Sequence, residues 1–432
     1  MSAQSKTKFH LHAFVEYAVK QHQYAREADR LYRWNGTFWS LISDEQMERE
    51  VYRWLVENHR MSATPEAARR ARAAILLFVS PLPVQPTTTV LPCLNGYVHI
   101  DASGIVLRRP EPELGLRYLI NCGYNPKEQP PVRFNAFLET ALPDPSVRAR
   151  VQEYIGYTLM PDARYQRAQF WLGKGANGKG VLQEIVSALH RKSESVFLDR
   201  LDGFRLSELV GASLICCDEA PRGRIDEQVL KSLIAGEPVQ IDRKYRDPVS
   251  SRIQAKWLVS GNHMPRITDH SVGFWRRWDI VPFEVVVPAH QRQTTLAKQI
   301  IENELAGVLN WALEGLLRLQ RRGGFDMTLP ESMANLLKRA RQETDPLSAW
   351  LEECVTVSAS AQTNKGAVYD GYRTWCLRNG VQALSSPHFW PRLRDIVPSL
   401  VESRPRIDGT PTRRCNLALR QVTPHALFNE PN

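Results

Sequence analysis

The chain has 432 residues, 43% of them hydrophobic, which is long for one core and predicts two or three domains. No stretch is apolar for the length of a membrane span and no apolar signal region opens the chain, which argues against membrane insertion and secretion. The net charge of +10 suits a polyanionic partner, and seven cysteines without a C-x-x-C pair suggest a reducing cytoplasm rather than a zinc site or disulfide framework.

Residues 1–160 read as an α-rich accessory and oligomerisation domain with some strands. Arg33 to Trp39 is an Asn-Gly hairpin flanked by aromatics, and Asn95-Gly96 turns into the alternating strand Tyr97 to Ile100. Between them, residues 44–78 read as helices interrupted near Pro65, and helical periodicity returns from Phe134 to Leu159.

Residues 161–345 read as the next domain, and 165–285 within it carry the chemistry. Phe170-Trp171-Leu172 reads as a strand end, followed by Gly173-Lys174-Gly175-Ala176-Asn177-Gly178-Lys179-Gly180-Val181. This fits G-x-x-x-x-G-K, the start of a phosphate-binding loop, with Gly180 where Ser or Thr normally follows. Glycines and an Asn let the backbone curl its N–H groups around a triphosphate, and Lys179 reaches the β- and γ-phosphates. Val181, Leu182, Ile185, Val186 and Leu189 recur at helical spacing, so the loop opens a helix whose N-terminus favours an anion. A Gly-rich turn that binds nothing is the plainer alternative.

Such a loop needs an acid on a neighbouring strand. The apolar run Ser213 to Cys217 ends in Asp218-Glu219, where Asp218 would hold Mg²⁺ through water and Glu219 would orient or deprotonate the attacking water. A third strand, Lys256 to Ser260, ends in Gly261-Asn262, whose amide could sense the γ-phosphate or simply make a turn. Arg243, Lys244, Tyr245 and Arg246 suit a hairpin tip that touches nucleic-acid phosphate and stacks on a base, although a solvated charged turn looks the same. Arg276 and Arg277 precede another buried run; packing against tryptophan would also explain them. Leu-, Ala- and Arg-rich helices over 286–345 close this region.

Asp345-Pro346 marks the boundary of a basic C-terminal domain, 346–432. Residues 361–420 hold ten Lys/Arg against four Asp/Glu. Val368, Tyr372, Trp375 and Cys376 share one helical face; Ser385-Ser386-Pro387 reads as an N-cap opening a second helix. That helix turns Phe389, Trp390 and Leu393 inward and Arg392 and Arg394 outward. With an Arg-rich hairpin (Arg404, Arg406, Arg413 and Arg414) this matches a winged helix, its second helix in a major groove and its wing on phosphate. A protein-docking domain is the competing reading. Arg outnumbers Lys by 43 to 13, which fits bidentate phosphate contacts and fits a GC-rich genome equally well.

These motifs, in this order, resemble superfamily III helicases, most closely the phage, plasmid and poxvirus primase–helicase family. The resemblance rests on Gly175-x-Asn177-Gly178-Lys179, Asp218-Glu219, Lys231, Gly236-Glu237, Arg243-x-Tyr245, Lys256 to Asn262 with Pro265, and Phe274 to Phe283. It extends to the Tyr32–Trp39 and Gln152–Tyr157 segments before the core and to Tyr369 to Leu393 after it. It implies an AAA+-like α/β phosphate-loop ATPase using ATP and Mg²⁺, between an α-rich N-terminal domain and a winged helix. It further implies a hexameric homo-oligomeric ring translocating 3′ to 5′ on single-stranded DNA and recognising duplex DNA, in the cytoplasm of a bacterial host. In it, Arg243, Lys244 and Tyr245 fall on the channel hairpin, Asn262 on the sensor, and Arg276 or Arg277 on a finger reaching the neighbour's ATP. The fused primase module of many relatives has no counterpart, so a separate primase or host replication proteins are expected partners. A small-molecule kinase and a non-catalytic, nucleotide-dependent DNA-binding scaffold are the alternatives, the second marked by Gly180.

Overall fold

A five-stranded parallel sheet organises the middle of the sequence, in the order Trp278–Pro282, Ala168–Leu172, Lys256–Gly261, Leu214–Cys217, Ser193–Ser195. The computed structural model describes residues 11–420, apart from 222, 224, 244, 245, 266, 268, 270, 408 and 409. All of Lys256–Gly261 and all of Leu214–Cys217 are buried, as expected of strands covered on both faces. The loop-bearing strand and the acid-bearing strand were expected to be neighbours; instead Lys256–Gly261 lies between them. Its register pairs Gly261 with Leu172 and Val259 with Cys217, so all three strands end at one edge. Strand order is a tertiary property, and the spacing of apolar runs does not encode it.

The loop strand feeds the helix Lys179–Ala188, which buries Leu182, Ile185 and Val186. Helices Pro145–Thr158 and Leu296–Arg322 pack closely because glycine removes the side chain at the crossing. A Cβ on Gly156 would lie 2.4 Å from the Ala312 oxygen, and one on Gly315 would lie 2.6 Å from the Gln152 oxygen. The buried carboxylate of Glu153 receives Arg318 at 2.7 Å and Arg322 at 2.5 Å. Arg150 grips the fully buried Asp279 with two bonds of 2.6 and 3.0 Å, tying this helix pair to the edge strand.

Before the sheet come the features expected from turn chemistry. The pairing of Trp34 with Trp39 leaves Asn35–Phe38 as the loop, and Asn35 Oδ1 accepts from the Thr37 and Phe38 N–H groups. In the second hairpin Cys93 pairs with Gly96, whose φ of +147° suits glycine. Helix Asp44–Asn58 starts at a Ser43/Gln46 capping box, and Pro65–Phe78 starts at Thr64 with Pro65 in its first turn. With Leu11–Gln21 they close a core of Phe14, Val51, Leu55, Ala71 and Ile75.

Towards the C-terminus, helices Pro346–Cys354, Lys365–Arg378 and Ser386–Ile396 surround Trp350, Tyr372 and Phe389. Val368, Tyr372, Cys376, Phe389 and Leu393 are buried as their spacing predicts, whereas Trp375 and Trp390 are only partly so. Arg414–Cys415 pairs antiparallel with both Thr363–Asn364 and Glu402–Ser403, and Arg406–Ile407 pairs with Thr410–Pro411. The chain divides into two compact units, Met1–Pro265 with Arg276–Pro330 and Arg266–Trp275 with Glu331–Asn432. No helix among the described residues is long and apolar enough to cross a membrane.

Candidate nucleotide-binding site

The loop Gly173–Val181 leaves the sheet where no side chain fits. A Cβ on Gly173 would lie 2.0 Å from the Phe283 oxygen, so only glycine is admitted. Asn177, 2% exposed, holds the curl: its Nδ2 donates to the oxygens of Lys174 at 2.6 Å and Phe283 at 2.7 Å. Ala176 and Gly178 turn the chain with φ of +63° and +88°. The second of these costs little because it is glycine. Lys174, Gly175 and Ala176 are exposed.

Lys179 opens the helix and folds back over the loop. Its Nζ donates to the Gly173 oxygen at 2.5 Å and to Asn177 Oδ1 at 3.0 Å. Both hydrogen-bond partners are neutral, so an arriving phosphate would bring a negative charge into direct contact with this buried ammonium. Burial lowers its pKa, and Glu219 pulls in the opposite direction.

Asp218 and Glu219 follow the acid strand, and both are exposed. Glu219 Oε1 accepts from Asn262 Nδ2 at 3.2 Å, which joins the ends of the acid and central strands. Asp218 Oδ1 accepts from Gln183 Nε2, and Asp218 Oδ2 accepts from Ser195 Oγ at 3.4 Å. The other end of the Gln183 amide accepts from Ser260 Oγ at 3.1 Å. Gln183, Ser195 and Ser260 were given no role from sequence. The usable signal for Gln183 was its position four residues after Lys179, on the same helical face.

A groove of about 480 Å³ runs beside this face, lined among others by Lys179, Gly180, Gln183, Glu184, Asp218 and Ser260. The loop fits a triphosphate on three counts: a backbone cradle closed to side chains, exposed turn residues, and an ammonium on neutral oxygens. For Mg²⁺ the donor set is sparse. A Cβ at Gly180 would meet nothing within 4 Å, so the usual hydroxyl is missing where there is room for it. Asp218 lines the groove at the end of the acid strand, as do Glu184 and Glu194 from other elements, and among the described residues no three His, Cys, Asp or Glu converge as a metal cage. That suits an ion held largely by phosphate and water, as Mg²⁺ commonly is.

Arg276 is exposed, whereas Arg277 is 8% exposed and its carbonyl accepts from the Ala168 N–H at 2.8 Å. The candidate channel hairpin is an antiparallel pair, Pro238–Arg243 with Arg246–Arg252, in which Arg243 pairs with Arg246. Lys244 and Tyr245, and the side chains of Arg243 and Arg246, lie outside the described residues. In the C-terminal unit Arg392 reaches Asp345 at 3.5 Å and Arg394 reaches Glu402 at 2.9 Å. Arg404, Arg406 and Arg413 are exposed, and Arg414 donates to the Gln362 oxygen at 3.1 Å.

Residues 171–277, which span the loop, both acids, the sensor position and both arginines, match a family of unknown function, DUF5906. The chain is 23% identical over 252 residues to a candidate helicase, 121R, of Invertebrate iridescent virus 3. It is 24% identical over 176 residues to a candidate helicase, L207/L206, of Acanthamoeba polyphaga mimivirus. These alignments cover 50% and 38% of this chain but only 27% and 18% of the two viral proteins. The apo structure of the NrS-1 C-terminal region shares the fold over 96% of this chain and 100% of that one, with a TM-score of 0.53 and 13% identity. The core is thus an α/β, phosphate-loop-like fold, and the chain is related to viral helicase-like proteins.

Proposed function

We propose that this chain is an ATP-dependent DNA helicase or replication initiator of a mobile element, translocating on single-stranded DNA as a hexameric ring. One observation carries the proposal: the loop lysine, the acid pair and the sensor amide come from three consecutive strands of one sheet and meet at one edge. A Gly-rich turn alone would not explain Asn262 bonded to Glu219 across that edge. The helicase names of the viral relatives supply the direction of the reading.

ATP bound here would supply the phosphoanhydride to be cleaved, with Mg²⁺ beside Asp218 offsetting its charge. The remaining steps belong to the chain. Lys179 exchanges its carbonyl and amide partners for phosphate oxygens, a stronger, charge-assisted pairing. Glu219 takes the proton of the attacking water, and Asn262 holds one carboxylate oxygen so that the other faces the water. Asn262, just beyond the central strand and bonded to Glu219, would be the residue that senses the γ-phosphate of a bound nucleotide. Arg276, the exposed member of its pair, acts as the finger on the neighbouring subunit's ATP, and one subunit alone is then incomplete. Residues 346–432 act as a winged helix on origin duplex.

Steady-state ATPase with and without single-stranded DNA, alongside mass by light scattering, tests this reading. Turnover should rise with DNA, vanish in Lys179→Ala, and be lost in Glu219→Gln while ATP binding persists. Wild-type rates in Lys179→Ala would sink the assignment. The missing hydroxyl at Gly180 favours a second reading, a nucleotide-dependent scaffold, which the same assay identifies by ATP binding without turnover.

A further inference from the structure

The loop has lost its metal-binding hydroxyl, yet the acid that should share the ion is not left to solvent. Asp218 is held on both carboxylate oxygens, by Gln183 Nε2 on Oδ1 and by Ser195 Oγ on Oδ2. Gln183 is itself anchored, because its Oε1 accepts from Ser260 Oγ on the central strand at 3.1 Å. One amide thereby spans the loop helix, the acid strand and the central strand. It stands one helical turn beyond Gly180 and lines the same groove.

We infer that Gln183 is the positioning residue of the Mg²⁺ site. It fixes the Asp218 carboxylate towards the groove beside Gly180, and so replaces by orientation what the chain lacks in coordination. This inference rests on the nucleotide-binding reading above. An ion with one well-placed carboxylate and several waters tolerates the loss of a hydroxyl ligand better than an ion with one wandering carboxylate. Residues hydrogen-bonded to a ligating group typically change metal affinity by about 10–100-fold when removed. Glutamine serves here where glutamate would not, since only the amide presents a donor to the acid and an acceptor to the serine.

The discriminating measurement is the ratio of ATP dissociation constants in EDTA and in Mg²⁺, titrated calorimetrically with a slowly hydrolysed ATP analogue. A purely structural glutamine would weaken both constants together and leave their ratio unchanged. Gln183→Leu should shrink the ratio by about tenfold, and so should Gln183→Asn, whose amide is too short to bridge both strands. Adding Gly180→Ser to Gln183→Leu should restore most of the ratio, because a side chain at position 180 meets open space. A wild-type ratio in both single variants overturns the role of Gln183, as does a Gly180→Ser background that restores nothing. A wild-type protein that binds no nucleotide in either buffer would instead remove the nucleotide reading itself, so the two failures are distinguishable.

Discussion

The phosphate loop and the C-terminal unit both present cations that read from sequence as phosphate ligands, and the structure treats them differently. Lys179 rests on a carbonyl and an amide oxygen, while Arg392 and Arg394 are matched to Asp345 and Glu402. In the loop, charge is kept available by a neutral cradle. In helix Ser386–Ile396 it is partly offset by acids of the same unit. A run of basic residues therefore measures only the maximum charge available to a polyanion; what each cation already touches decides how much of it is used.

The sharpest break of this comparison would come at Lys179. Replacing it with alanine should reduce turnover to background, and Gly173→Ala should do nearly the same by forcing Asn177 and Phe283 apart, as phosphate release would report. Arg276→Ala should come next. A finger arginine is worth about 10³–10⁵ in rate, so DNA-stimulated ATPase should collapse with an unchanged melting temperature. Arg277→Ala should behave oppositely, lowering the melting temperature because this side chain is buried. Mixing Arg276→Ala with Lys179→Ala subunits should recover part of the activity if the finger acts between subunits.

Smaller effects compare the ion-paired Arg392 and Arg394 with Arg404, Arg406 and Arg413. Arg404→Ala, Arg406→Ala and Arg413→Ala should each lower duplex affinity and reduce the slope of log K against log salt by about 1. Arg392→Ala and Arg394→Ala should change that slope much less, since their charges already have carboxylate partners. Equal slopes across all five variants, measured by anisotropy titration, would erase the distinction drawn here.

An effect of pH, independent of any ligand, lies inside the sheet unit. His190 sits between Thr158 Oγ1 at 3.1 Å and Ser213 Oγ at 2.8 Å, and burial, with Lys256 nearby, lowers its pKa to about 3. The unfolded chain takes up this proton below its ordinary value of about 6.5, whereas the folded chain does not until about pH 3. Stability contributed here is present above about pH 6.5 and falls as pH drops towards 3. Urea midpoints at pH 7, 6, 5 and 4 should decline less steeply in His190→Gln.

Local chemistry made much of this legible. The loop, the acids, the sensor position and the helix starts are fixed by residues close together in sequence, so spacing and capping rules reach them. What escaped depends on distance in the chain. Lys256–Gly261 slips between two strands expected to touch, because helix packing on both faces, not local sequence, sets strand order. The partner of Arg392 lies 47 residues away. Gln183 looks like any polar residue on an amphipathic helix until the acid strand arrives beside it.

The interleaving of the two units has a consequence for how the molecule can be taken apart. The ten-residue stretch Arg266–Trp275, which clusters with Glu331–Asn432, is threaded between Asn262 and Arg276 of the other unit. No single scissile point therefore yields two intact modules. A stop codon near residue 330 would remove most of the unit to which Phe274 and Trp275, now 2% and 3% exposed, belong. A separable pair of modules would need this stretch relinked to its own unit, with 266–275 joined to 331–432 and 265 joined to 276. Limited proteolysis at Pro330 should yield fragments that co-elute on gel filtration until denaturant is added.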